Sequence, residues 1–109
     1  MRNLTLLTDL YQLTMAYGYW KTDLRDRQAV FHLVFRRHPF GGGFTVACGL
    51  ATALEYLNNF RFDRADLDYL ATLRGGSPPR TGQGGALFED RFLDFLGDLR
   101  HFGNVDKRL

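Results

Sequence analysis

The run LLTDLYQLTMAYGYW, Leu6 to Trp20, carries apolar side chains almost all the way round a helix. Leu10, Leu13, Tyr17 and Trp20 recur at three- and four-residue spacing and form one stripe. Tyr11, Met15 and Tyr19 form a second stripe, about 100° around the axis. The polar strip left between them is Gln12, Thr14 and Lys21. A helix patterned in this way is buried on most sides, or buries one stripe at home and the other against another chain. Asp9 followed by Gln12 predicts a capping box, with the helix running to about Lys21.

After a charged connector, Thr22 to Gln28, the pattern changes to β. AVFHLVFRR, Ala29 to Arg37, is rich in β-branched and aromatic residues. Val30, His32, Val34 and Arg36 fall on one face, and Phe31, Leu33, Phe35 and Arg37 on the other. The Phe31 face is the more apolar and is expected on the core. Pro39 and three glycines then predict a turn, and Phe44 to Cys48 a second strand, so the pair reads as a hairpin. GLATALEYLNNF is expected to be a helix with Leu50, Leu54, Leu57 and Phe60 on one face. DRADLDYLATL predicts another, capped by Asp63. Residues 74–86, dominated by Gly, Ser and Pro, read as a flexible loop. LFEDRFLDFLGDL predicts a last helix, with Phe88, Phe92, Leu96 and Leu99 at helical spacing. The fold class is α+β: a helix, a hairpin, then helices. Two adjacent strands are few for a sheet that must cover four helices, so further strands are expected from a continuation of the chain or from a partner.

Composition narrows the chemistry. At 109 residues and 45% hydrophobic, the chain has material for one core. A net charge of +2, with basic residues interleaved among Asp and Glu, lacks the basic stripe that nucleic-acid binding needs. No run approaches the ~20 apolar residues that span a bilayer, and the N-terminus is a poor signal peptide, so a cytoplasmic location is expected. The lone Cys48 excludes an internal disulfide, and its apolar setting fits a packing role better than a nucleophile. His32, His38 and His101 show no metal-ligand spacing, and there is no P-loop or nucleophile elbow. Arg36-Arg37 stands where the first strand enters the glycine turn. It reads either as a solvated strand end or as a bidentate grip for a phosphate.

Three segments in order, LLTDLYQLTMAYGYW, AVFHLVFRRHPFGGGFTVACGL and EYLNNFRF, resemble the N-terminal region of nicotinate phosphoribosyltransferase. DLDYLATL and FEDRFLDFLGDL fit the next segments of that region, so the resemblance covers residues 4 to about 100. It implies the N-terminal part of the α/β sandwich-like domain of a type II phosphoribosyltransferase. The family joins nicotinate to phosphoribosyl pyrophosphate, driven by ATP with Mg2+ and a phosphorylated histidine, on the way to NAD. It also implies a homodimer with active sites at the subunit interface. Thr8-Asp9-Leu10-Tyr11 then matches the family's Thr-Asp-x-Tyr motif, which reaches the neighbouring subunit's site. On that match Tyr11 stacks on the pyridine ring, Asp9 sits at the pocket rim, and Arg36 or Arg37 holds phosphate. The second stripe of the first helix faces the partner.

The resemblance has limits within these 109 residues. The family's catalytic barrel, its phosphoribosyl-binding loop and its phosphorylated histidine are absent. No catalytic residue and no metal ligand is therefore assigned, and no cofactor is expected to bind this chain alone. The chain reads as a truncated piece of the enzyme, inactive by itself. The alternative is a non-catalytic interaction module that pairs with a separate barrel-bearing chain.

Overall fold

The computed structural model describes residues 3–75 and 85–99. Four helices occur in order: α1 (Leu10–Lys21), α2 (Leu50–Asn58), α3 (Arg64–Thr72) and α4 (Asp90–Asp98), with a short 3-10 turn at Pro39–Gly41. The core is aromatic and lies on α4. Phe88, Phe92 and Leu96, spaced four apart, are buried together with Leu93, Phe62 and Leu70. Phe92 is wholly inaccessible. The predicted α4 stripe therefore packs as expected.

α3 and α4 form a helical pair. Their connection is pinched at its base, where Leu87 N–H donates to the Leu73 carbonyl at 2.9 Å and Arg74 and Ala86 form an antiparallel bridge. The expected flexible loop 74–86 otherwise lies outside the described residues. The helices meet closely at Gly97, where a β-carbon would stand 3.0 Å from Leu67 Cδ1. α1 then covers α4. Leu13, Ala16, Tyr17 and Trp20 pack on the core. The Tyr17 ring meets Phe88 edge-on, with centroids 5.6 Å apart, and lies 5.0 Å from Phe92. Lys21 forms an ion pair with Glu89 and stands 5.5 Å from the centre of the Tyr17 ring.

A polar knot ties the N-terminal segment to α3. Asp63 and Asp66 make a complete capping box, the Asp63 carboxylate accepting the Asp66 N–H at 2.9 Å. Asn3 bridges both carboxylates through Nδ2, at 3.1 Å and 2.7 Å. Its Oδ1 accepts the Thr5 N–H at 3.1 Å. The buried Thr5 hydroxyl stands 2.6 Å from Asn3 Oδ1 and 2.5 Å from the Arg61 carbonyl oxygen, and donates its one proton to one of them at a time. The Asp66 N–H and then the Asn3 amide hold the Asp63 carboxyl below its ordinary value of 3.8.

Three expectations are corrected. The capping box expected at Asp9 and Gln12 is absent: Asp9 is the N-cap residue of α1, but its side chain makes no cap hydrogen bond. The hairpin is not formed. Among the described residues there is no β-ladder, and Ala29–Arg37 runs without backbone hydrogen bonds. The Phe31 face is not on the core, since Phe31 is 89% exposed and Val30, Leu33, Val34 and Phe35 are exposed with it. A two-stranded ribbon is marginal in water without a surface to cover, and the core surface is already taken by α1. α2 forms where expected, although none of its residues is buried and Leu50 and Leu57 remain exposed. Phe60, just beyond it, joins the core edge-on to Phe62 at 5.4 Å.

Phe92→Ala is expected to cost about 3–5 kcal/mol, the range for emptying a buried aromatic site, and to abolish the cooperative loss of helical circular dichroism on heating. Asp63 gives a pH prediction. Its folded pKa is lowered, so its stabilisation is complete above the ordinary value of 3.8 and is lost as pH falls through the lowered folded value. Asn3→Ala is expected to weaken that acid dependence, measured as thermal midpoint against pH.

Candidate functional site

The helix period of 3.6 residues splits the apolar positions of α1 between two directions. Tyr17 and Trp20 point at α4, and their rings, 6.2 Å apart and nearly parallel, are held there by Phe88 and Phe92. That fixes the rotation of the whole helix. Tyr11, Met15 and Tyr19, at i, i+4 and i+8, are carried to the solvent side, each about half exposed (Tyr11 58%). Leu10, expected with the inner stripe, is exposed as well, because it lies at the open N-terminal end beyond the aromatic contact. Asp9 is exposed one residue before the helix.

Arg36 and Arg37 are exposed on the extended arm, immediately before the turn. The turn itself is organised. Gly42 N–H donates to the Pro39 carbonyl at 3.0 Å, and His38 Nδ1 lies 2.9 Å from Thr45 Oγ1 across the turn. Phe40 and Gly41 both adopt left-handed backbone, with φ of 57° and 68°. For a glycine this is free, whereas for a phenylalanine it is strained. The Phe40 ring is fully exposed at the tip. The sequence pattern did not single out Phe40. Its signal was the Pro-Phe-Gly-Gly string, in which the turn falls one residue earlier than the glycines imply.

Among the described residues, no hydrogen bond or ion pair joins Asp9, Tyr11, Arg36 and Arg37 to one another. They stand on two separate elements, the outer face of α1 and the base of the glycine turn. A shallow groove of about 340 Å³ lies elsewhere, lined by Trp20, Arg25, Arg91, Asp94, Phe95 and Asp98. It includes none of the four. No cluster of three or more His, Cys, Asp or Glu able to hold a metal occurs among the described residues. Nor does any helix among them have the length and apolarity to cross a membrane. The arrangement presents an aromatic surface on a helix and two exposed guanidinium groups at a turn.

Comparison with known sequences decides the family. The profile described as nicotinate phosphoribosyltransferase (NAPRTase) N-terminal domain matches residues 6–107. The chain belongs to this family. Nicotinate phosphoribosyltransferase from Caenorhabditis elegans is 51% identical over 65 residues, 60% of this chain and 12% of that protein. The Homo sapiens enzyme of the same name is 49% identical over 90 residues, 82% of this chain and 16% of that protein. Nicotinate phosphoribosyltransferase pncB2 of Mycobacterium tuberculosis is 42% identical over 100 residues, 92% of this chain and 19% of that protein. No solved structure matches the chain with significance. The chain is thus homologous to the N-terminal region of nicotinate phosphoribosyltransferases and spans 12–19% of the length of such relatives.

The two faces of α1 predict opposite responses to substitution. Tyr11→Ser is expected to change stability by no more than about 0.5 kcal/mol, as at other exposed positions. Tyr17→Ser removes a ring from three aromatic contacts and is expected to cost about 2–4 kcal/mol. Urea unfolding followed by tryptophan emission of Trp20 measures both.

Proposed function

We propose that this chain serves as the N-terminal segment of a nicotinate phosphoribosyltransferase, supplying substrate contacts and dimer surface while the chemistry resides in the rest of the enzyme. The observation that carries this reading is the outer face of α1. Tyr11, Met15 and Tyr19 lie uncovered side by side, although the helix is otherwise locked into an aromatic core. Such a face suits a second subunit of a homodimer. In the assembled enzyme Tyr11 stacks on the pyridine ring of nicotinate bound in the partner's pocket, and Asp9 stands at the rim. Arg36 or Arg37 meets the phosphates of phosphoribosyl pyrophosphate, where a guanidinium makes paired, charge-assisted hydrogen bonds. ATP and Mg2+ act in the full-length enzyme, and the product is nicotinate mononucleotide for NAD synthesis in the cytoplasm.

The described residues hold an aromatic platform and exposed arginines, but no clustered metal ligands. Phosphoribosyl transfer needs charge stabilisation at the departing pyrophosphate, which one or two arginines do not provide alone. Accordingly the purified chain is expected to form no nicotinate mononucleotide from nicotinate, phosphoribosyl pyrophosphate, Mg2+ and ATP. Clear product formation overturns the reading.

In a full-length relative carrying this chain as its N-terminal region, Tyr11→Ala is expected to raise KM for nicotinate about 2- to 10-fold, the equivalent of one aromatic contact. An unchanged KM sinks the assignment of Tyr11. The isolated chain is expected to self-associate through its uncovered apolar surface. Light scattering that finds a monodisperse monomer at roughly tens of micromolar counts against the dimer surface.

A further inference from the structure

Two surfaces of this chain carry opposite charge. From Arg27 to Leu54 there are three arginines and no Asp or Glu. Arg36 and Arg37 of that stretch lie exposed just before the turn, and the Phe40 ring stands clear of the chain at its tip. On α4, Asp90, Asp94 and Asp98 recur every four residues and are all exposed, so they share one face. None of the three forms an ion pair among the described residues. Asp94 and Asp98 border the groove of about 340 Å³, whose floor is aromatic, with the Trp20 and Phe95 rings 6.5 Å apart. Of the two cations at that groove, Arg25 is turned to Asp26 at 3.7 Å and lies over the Phe95 ring. Arg91 is one positive charge against three aspartates.

Phe40 shows which ligand the groove fits. Both central residues of the Pro39–Gly42 turn are left-handed, with φ of 57° at Phe40 and 68° at Gly41, and Gly42 N–H closes the turn on the Pro39 carbonyl. A turn of that shape favours Asn-Gly. Phenylalanine strains the backbone there, and at 105% exposure its ring gains nothing from its own chain. Strain of this kind marks a position held for a contact rather than for the fold. The tip offers an aromatic ring beside two guanidinium groups, and the groove offers an aromatic floor beside carboxylates.

We infer that the turn tip of one chain seats in the groove of a second copy, with the Phe40 ring against Trp20 and Phe95 and one arginine against Asp94 and Asp98. Arg36 and Arg37 fall on opposite sides of an extended run, so the other guanidinium stays free. One ring covers only about 150–250 Å², well short of the roughly 1,200–2,000 Å² of a stable complex. Two copies related by a twofold axis seat two tips in two grooves at once. The pairing is therefore weak, reciprocal and sensitive to salt. It uses neither Tyr11 nor the outer face of α1, so it is separate from the dimer surface proposed above.

Sedimentation velocity of the 109-residue chain over the micromolar to submillimolar range tests this, with Trp20 emission read on the same samples. Trp20 is the only tryptophan, so its emission reports on the groove. The unmodified chain is expected to dimerise, to shift its emission as it does so, and to dissociate in high salt. Phe40→Asn is expected to weaken dimerisation at least about 10-fold. Its thermal midpoint is expected to be equal or higher, because Asn accepts left-handed backbone. A chain with Asp94→Lys and Asp98→Lys, and another with Arg36→Glu and Arg37→Glu, are each expected to stay monomeric alone and to pair when mixed. A mixture that stays monomeric overturns the inference, as does an unmodified chain that is monomeric throughout. Dimerisation that Tyr11→Ser abolishes and Phe40→Asn leaves intact sinks this inference alone. The reverse pattern sinks only the α1 dimer surface.

Discussion

The contact of Tyr17 and Trp20 with Phe88 and Phe92 is the constraint on which the remaining arrangement depends. It joins the first helix to the last across most of the described sequence. Aromatic rings bury a large area each and prefer tilted or edge-on geometry, as these do. Because the rings are bulky and interlocked, α1 cannot rotate about its axis without opening the core. Its rotation decides which residues meet water, so an internal packing contact fixes an external surface.

Tyr11, Met15 and Tyr19 form a band on the helix, and the arm from Gln28 to Cys48 adds further exposed apolar groups. Scattered exposed hydrophobics are ordinary, whereas contiguous ones mark contact surfaces. Both belong to stretches within the matched family region, residues 6–107. On the proposed reading the helix band faces a second subunit, and the helical core is the anchor that holds it in place.

Polar contacts refine this arrangement without creating it. The knot of Asn3, Thr5, Asp63 and Asp66 closes the N-terminal segment onto α3. The Lys21–Glu89 pair locks the C-terminal end of α1 to the start of α4 and raises the Lys21 pKa through that hydrogen bond. Both groups are half-exposed, so the pair guides orientation more than it stabilises.

The helices and their apolar spacing were legible in the sequence, because a 3.6-residue period is a local property and each helix satisfies its own backbone. The α4 stripe of Phe88, Phe92 and Leu96, the Asp63 cap and the two stripes of α1 were all readable in that way. The family, too, was visible in three ordered segments, and the profile match bears it out. The strands were not decided locally. Ala29–Arg37 has a strand's composition, but a strand exists only where another strand accepts its hydrogen bonds, and among the described residues none does. Which stripe of α1 is buried, why α2 stays uncovered, and where Tyr11 and Arg36-Arg37 stand were likewise settled only in three dimensions. Those outcomes depend on contacts between residues far apart in the chain, and one interlocked aromatic cluster takes the surface for which the other apolar faces compete.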